Sequence, residues 1–299
     1  MEVNGSISLL KNNRMEYIKL NNGVEMPMVG FGTFPLTGEK LVDCLKITSS
    51  CGYELYDTAG QYFNEGDIGY CIKNGIIKRE NCFLSSKVNW LQLRGRIRYL
   101  FLNRETVKSA YRHSCKRMNT DYLDLFLLHQ PFNGMEKAYK EMIKLYEAGK
   151  VRAIGVCNFD IEELERLHDA CGVYPMVNQT EISPRNSFKN IISFCKEHNI
   201  VVEAYSPFGR GKLVKELMSD PILVEIANNH NKTVGQIVLR WIVQQGIVVI
   251  PRSTNECRIK ENLNVFDFTL TDNEMSLIDS MNENRVYGVN QINKYPRNV

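Results

Sequence analysis

The chain has 299 residues, 43% hydrophobic and 24% charged, a globular composition that excludes a disordered polymer. Lys and Arg total 37 against 34 Asp and Glu, a formal charge of +3, so the overall charge gives no reason to expect a nucleic-acid partner. No apolar run approaches the roughly 20 residues of a membrane-spanning helix, and the nine Cys form no C-x-x-C pair, which points to a soluble, reduced, cytoplasmic protein without disulfides, metal or membrane contact.

Residues 1–14 are polar and unpatterned and read as a disordered extension ahead of one domain over 15–299. Next, Tyr17-Ile18-Lys19-Leu20, Asn21-Asn22-Gly23 and Val24-Glu25-Met26 predict a β-hairpin, because Asn-Gly supplies the positive φ angles of a tight turn. From there short β-rich runs alternate with longer amphipathic stretches. The runs begin near Val29, Tyr53, Cys82, Tyr122, Arg152, Met176, Val201 and Ile247, with room between them for a helix and two loops. Segments 103–118 and 135–148 are helix-like; in the first, Val107, Ala110, Tyr111, Ser114 and Met118 follow the helical period. Eight such units without a linker rich in Pro, Ser or Gly predict an α/β fold, a (β/α)8 TIM barrel, with the hairpin closing its bottom. A doubly wound sheet is the competing fold, but it calls for fewer strands or a domain break. Two more helices are expected near 255–263 and 271–281, followed by a polar tail.

In such a barrel the active site lies at the C-terminal ends of the strands. There the sequence places Asp57, Lys87 and His129 at the ends of strands 2, 3 and 4, with Tyr62 in the loop after Asp57. Each has an ordinary alternative: a turn-capping Asp, a Lys reaching solvent, a hydrogen-bonded structural His, a packed Tyr. Together they compose a proton-transfer unit. A phenol pKa of about 10 is too high for an efficient acid at neutral pH. The Lys87 ammonium is expected to pull it down, Asp57 to keep Lys87 charged, and neutral His129 to orient a carbonyl oxygen. Such a unit suits carbonyl reduction by hydride, in which oxygen takes up a proton as carbon is attacked. The same residues also compose a Schiff-base aldolase built on Lys87, with Tyr62 and Asp57 moving protons. A site for a hydride donor separates the two.

Gly30-Phe31-Gly32 does not complete the G-x-G-x-x-G fingerprint, so a nucleotide site must lie elsewhere. Barrels bind phosphate at the loops after strands 7 and 8 and at a short helix N-terminus. Here Ile250-Pro251-Arg252-Ser253-Thr254-Asn255, with Arg258 and Asn262 at helical spacing, offers two guanidiniums, two hydroxyls and helical N–H groups. The alternative is a solvated helix capped by Asn255, with Glu256 near its start.

At this point the chain, from about residue 15 to 287, resembles the aldo-keto reductases. The matching segments are Asp57-Thr58-Ala59 with Tyr62, Ser86-Lys87-Val88, Leu127-Leu128-His129-Gln130-Pro131, Gly155-Val156-Cys157-Asn158-Phe159, Asn178-Gln179, Ala204-Tyr205-Ser206-Pro207 and Ile250-Pro251-Arg252-Ser253. The resemblance implies reduction of an aldehyde or ketone to an alcohol with NADPH, bound without a Rossmann fold. It implies Tyr62 as proton donor, Lys87 and Asp57 as the residues that tune it, and His129 as the residue that orients the substrate. Asn158 and Gln179, beside Cys157, would hold the nicotinamide carboxamide, and Tyr205 would stack on the ring. Arg252, Ser253, Arg258 and Asn262 would hold the adenosine 2′-phosphate, with Glu261 near the adenine. Gly32, Thr33, Ser206 and Thr254 complete the expected cofactor-binding set.

Departures from the family pattern are Cys157 where Ser is usual, Arg252 where Lys is common, and Trp90 one place late. His129 stands where the double-bond-reducing members carry Glu, which favours carbonyl over C=C reduction. Short loops after strands 4 and 7 imply an open pocket lined by Phe34, Trp90, Phe132 and Phe208, for a small carbonyl substrate. The resemblance also admits an NADPH-binding sensor subunit, against which the four intact catalytic residue types weigh, and it suggests a monomer. A basic run with Arg94, Arg96 and Arg98 reads as solvated surface or as a patch that steers an anionic substrate.

Overall fold

The structure, a computed structural model, describes residues 15–88 and 106–285. The extension 1–14, Trp90 and the basic run at 94–98 lie outside the described residues.

Strands β1 (Tyr17–Lys19) and β2 (Glu25–Pro27) form the expected hairpin, with Ile18 opposite Met26. Its turn requires Gly23, whose φ of 86° lies in the left-handed region, and Leu20 N–H donates across it to the Val24 carbonyl at 2.8 Å. Leu20 and Met26 are buried on the inner face. On the other side Asn22 Nδ2 donates to the carbonyl of Arg152, and the Tyr17 hydroxyl donates to Glu54. Both acceptors stand at the N-terminal ends of barrel strands, so the hairpin lies across the bottom.

Eight parallel strands follow, hydrogen-bonded in chain order: β3 (Gly30–Gly32), β4 (Leu55–Asp57), β5 (Phe83–Val88), β6 (Leu123–Leu128), β7 (Val151–Cys157), β8 (Val177–Glu181), β9 (Val201–Tyr205) and β10 (Val248–Val249). Each begins within two residues of its expected place. A parallel bridge between Val29 and Val249, with Val249 N–H donating to the Met28 carbonyl, brings the ends of the sheet together into a (β/α)8 barrel. This closure decides the residue at position 32. A Cβ on Gly32 would stand 2.9 Å from the Ile250 carbonyl oxygen, and Gly32 N–H donates to Pro251 O at 3.1 Å.

Helices cover the outside, so nearly every strand residue is buried, as parallel sheets require. The helix Val107–Met118 opens on a capping box between Thr106 and Ser109 and ends at Asn119 in the left-handed conformation. It buries the five residues singled out by the helical period and turns Lys108, Arg112 and Lys116 to solvent. Helices Met135–Glu147, Glu256–Leu263 and Asp272–Asp279 also stand where expected, the last two capped by the side chains of Asn255 and Thr271. Among the described residues, no helix is long and apolar enough to cross a membrane.

Candidate active site

Strands β4, β5 and β6 are neighbours, and their C-terminal ends bring Asp57, Lys87 and His129 to one rim. The Lys87 ammonium stands 2.6 Å from each Asp57 oxygen and 2.9 Å from the Thr58 carbonyl. These acceptors use the three N–H donors of the ammonium. Burial opposes the charge, but Asp57 outweighs it with help from Tyr62 and Cys157, and the Lys87 pKa stands above its ordinary value. An amine held so firmly as a cation is a poor nucleophile, which removes the main requirement of a Schiff-base aldolase.

Tyr62 ends a single 3-10 turn, Gly60–Tyr62, with the Lys87 ammonium 5.3 Å from its ring centroid. Its hydroxyl lies 3.4 Å from His129 Nε2, and the Gln61 side-chain amide nitrogen approaches the same atom at 3.4 Å. Burial first, and Lys87 second, hold the His129 pKa well below the usual imidazole value, so the ring is neutral at physiological pH. Its Nδ1 is buried with no hydrogen-bond partner among the described residues, and Nε2 is the ring nitrogen that faces Tyr62 and Gln61.

The balance at Tyr62 differs from the expected one. Burial pushes its pKa up to about 12; Lys87 does pull it down, but Asp57 adds to the rise. The lowering by Lys87 is present and outweighed by the desolvation of a half-buried phenol packed against Phe34 and His129, which a loop position in the sequence does not reveal. Tyr62 therefore carries its proton throughout the neutral range.

A second tier of side chains lies on β7, β8 and β9. Gln179 Nε2 donates to Asp57 Oδ2 at 3.0 Å and to Glu203 Oε2 at 2.7 Å. Two carboxyl acceptors fix which end of the amide faces them, and Gln179 Oε1 is left 3.8 Å from Cys157 Sγ. Burial pushes the Cys157 pKa well above the usual thiol value. Asn158 adopts φ 61°, a left-handed conformation that Asn tolerates, and its Oδ1 accepts from the Tyr205 hydroxyl at 2.8 Å. Tyr205 and Ser206 are half-buried. Arg210 places its guanidinium 5.8 Å from the Tyr205 centroid and donates from Nε to Ser206 Oγ at 3.1 Å.

At the last βα loop, Arg252, Thr254 and Arg258 are exposed, Ser253 and Asn262 are buried, and Glu261 is half-buried. Glu256, at the start of the helix, pairs with Lys260 at 2.7 Å, and neither arginine has an ion pair among the described residues. Asn255 Oδ1 accepts from Arg258 N–H at 3.0 Å, so one helical donor is spent on the cap. The loop is thus both a capped helix start and a cationic one. Its two unpaired guanidiniums and two hydroxyls fit a phosphate monoester.

Other expected residues have mainly structural contacts. Thr33 is fully buried; its hydroxyl donates to the Asp57 carbonyl at 2.9 Å and accepts from Asn64 at 3.1 Å. Phe34, 51% exposed, packs its ring 4.9 Å from that of Tyr62. Phe132 is buried in the core, and Phe208 lies against Gly235. Three residues at the site were not singled out from the sequence. Gln61 adjoins Tyr62, Arg210 is the cation of a short rim loop, and Glu203 is the one charged residue of a strand otherwise built from Val, Ala and Tyr. That last pattern was a legible signal.

The family model described as the Aldo/keto reductase family matches residues 28–283. The chain is 43% identical over 271 residues to an uncharacterized oxidoreductase, YtbE, of Bacillus subtilis (strain 168), covering 89% of this chain and 92% of that one. It is 40% identical over 275 residues to the glyoxal reductase of the same organism, covering 91% and 95%. Among solved structures, a Bombyx mori aldo-keto reductase in complex with NADP matches with a TM-score of 0.82 and 31% identity, covering 95% of this chain and 98% of that one.

Proposed function

The chain belongs to the aldo/keto reductase family, and on that premise we propose that it reduces a small aldehyde or ketone to the alcohol, with Tyr62 as proton donor. NADPH, when bound, supplies the hydride. A carbonyl oxygen seated between the Tyr62 hydroxyl and His129 Nε2 is polarised by both. As negative charge develops on that oxygen, the phenol gives up its proton. The Lys87 ammonium then stabilises the phenolate, and Asp57 holds that ammonium at a fixed distance.

The same reading assigns the 2′-phosphate to Arg252, Ser253, Thr254, Arg258 and Asn262, with Glu261 toward the adenine. Gln179, Asn158 and Cys157 would hold the carboxamide, and Tyr205 and Ser206 would flank the ring. Gly32 and Thr33 would support this end from behind Asp57. The unpaired state of Arg252 and Arg258 supports NADPH over NADH, since only the former carries a 2′-phosphate.

One observation carries the reading: a protonated phenol and a neutral imidazole 3.4 Å apart, beside a locked ammonium. The similarity to a glyoxal reductase makes small dicarbonyls the first substrates to try. The test follows NADPH absorbance with glyoxal and a panel of simple aldehydes and ketones. Tyr62-dependent NADPH consumption is expected. NADPH binding without consumption on any carbonyl would overturn the reading in favour of a sensor.

A further inference from the structure

Glu203 takes no part in the chemistry above, yet it touches the residues that do. It lies on β9 opposite Gln179 of β8 and Val248 of β10, fully buried. Among the described residues, the charges that act on Glu203 are the Lys87 cation and the Asp57 carboxylate; Glu181, also buried on β8, stands further along the strand, opposite Tyr205. The three ammonium hydrogens of Lys87 go to Asp57 and Thr58, so none reaches Glu203. Glu203 Oε2 accepts one hydrogen bond, from Gln179 Nε2 at 2.7 Å; Oε1 is buried without a partner among the described residues. The same Gln179 nitrogen also donates to Asp57 Oδ2. An ionised Glu203 would therefore be a buried anion with one oxygen unsatisfied, facing a second anion across one amide. Burying such a charge costs far more than burying the acid.

We propose that Glu203 works as a neutral carboxylic acid and is a positioning residue for the proton-transfer unit. It fixes the Gln179 amide from within the barrel and leaves the Lys87 ammonium with Asp57 as its one charged carboxylate partner among the described residues. The inference rests on the reading of Tyr62 as the acid. The titratable groups around it are Asp57 from β4, Lys87 from β5 and the Cys157 thiol from β7, while Gln179 and Val248 are uncharged. Burial first, then Asp57, pushes the Glu203 pKa up to about 8, against the opposing pull of Gln179 and Lys87. With Glu203 neutral, Asp57 and Lys87 cancel and the phenolate of Tyr62 meets the nearer ammonium. Once Glu203 ionises, the buried set carries net negative charge in a poorly screening interior, and forming a phenolate there becomes harder.

The experiment compares wild type, Glu203→Gln and Glu203→Leu as full chains. The kcat for a good carbonyl substrate is measured from pH 6 to 10, and Tm from pH 5 to 9. Wild-type kcat is expected to fall above about pH 8, about tenfold per unit, far below the titration of Tyr62 at about 12. Glu203→Gln cannot ionise but can accept from Gln179. Its ratio of kcat at pH 9.5 to kcat at pH 7 should exceed that of wild type by about tenfold or more. Glu203→Leu should lose about tenfold in kcat at pH 7, most of it regained in Glu203→Gln. Tm gives a readout independent of turnover. A carboxyl whose folded pKa exceeds its unfolded value gives stability that is lost as pH rises through the folded pKa. Wild-type Tm should therefore fall relative to Glu203→Gln between about pH 4.5 and 8.

An identical alkaline fall in wild type and Glu203→Gln, or a Tm difference flat with pH, would overturn the proposal. So would a Glu203→Gln enzyme as slow as Glu203→Leu; should the latter not fold, the Gln variant decides alone. A pH-dependent Tm difference with no turnover on any carbonyl would overturn the functional reading while supporting the neutral acid.

Discussion

Lys87 and Asp57 face each other with the ammonium 2.6 Å from both carboxylate oxygens and both side chains closed off from the surface. Among the described residues each is the other's only counter-charge in direct contact, so removing one strands the other. Breaking a buried pair costs about 3–5 kcal/mol, whereas replacing both members by neutral groups costs much less. Asp57→Asn and Lys87→Met should each lower the unfolding free energy by about that amount in urea titrations. The double variant should lose clearly less than the sum. Additive losses would mean that the pair is not coupled as its geometry implies.

Tyr62→Phe removes the proposed proton donor and almost no volume. General acid catalysis contributes about 10²–10⁴-fold, so kcat should fall by at least that range while NADPH affinity, read by fluorescence quenching, stays close to wild type. Wild-type turnover in this variant would end the assignment of Tyr62.

Arg252→Ala and Arg258→Ala each remove a guanidinium that has no ion pair among the described residues. A lost charge-assisted hydrogen bond is worth about 1.5–3 kcal/mol, roughly 10- to 100-fold in affinity. The loss should fall on NADPH and spare NADH. Equal weakening of both cofactors would mean that these arginines serve only the helix start.

Much of this site was legible because its signals are local. Each barrel strand is a short apolar run between loops, and the rule that strand ends carry the chemistry brings Asp57, Lys87 and His129 together with no distance known. What was not legible depends on contacts between distant segments. The partial burial of the Tyr62 phenol comes from side chains that the order of residues does not place around it, so the desolvation that raises its pKa stayed hidden behind the nearer effect of Lys87. The Glu203–Gln179 contact depends on the register of β9 against β8; a slip of one residue would turn Glu203 outward. Gly32 invites comparison with a nucleotide-binding glycine, yet its neighbour is the Ile250 carbonyl at the barrel seam.

The neutrality of His129 leads to a prediction with a definite sign. Burial and the Lys87 charge both hold its pKa well below the ordinary value of 6.5. An imidazole with a depressed folded pKa contributes stability that is present above its unfolded pKa and lost as pH falls through the folded one. Wild type should therefore lose stability relative to His129→Gln as pH drops below about 6.5, measured as the difference in Tm between the two. Over the same interval wild-type kcat should show no His-like acid fall, because the ring remains neutral and its Nε2 keeps the same role. Lys87→Met removes the second cause only, so the imidazole pKa, followed by proton NMR, should move part of the way back toward its ordinary value. A ring that titrates near 6.5 in wild type would place His129 in solvent and undo the geometry on which carbonyl orientation depends.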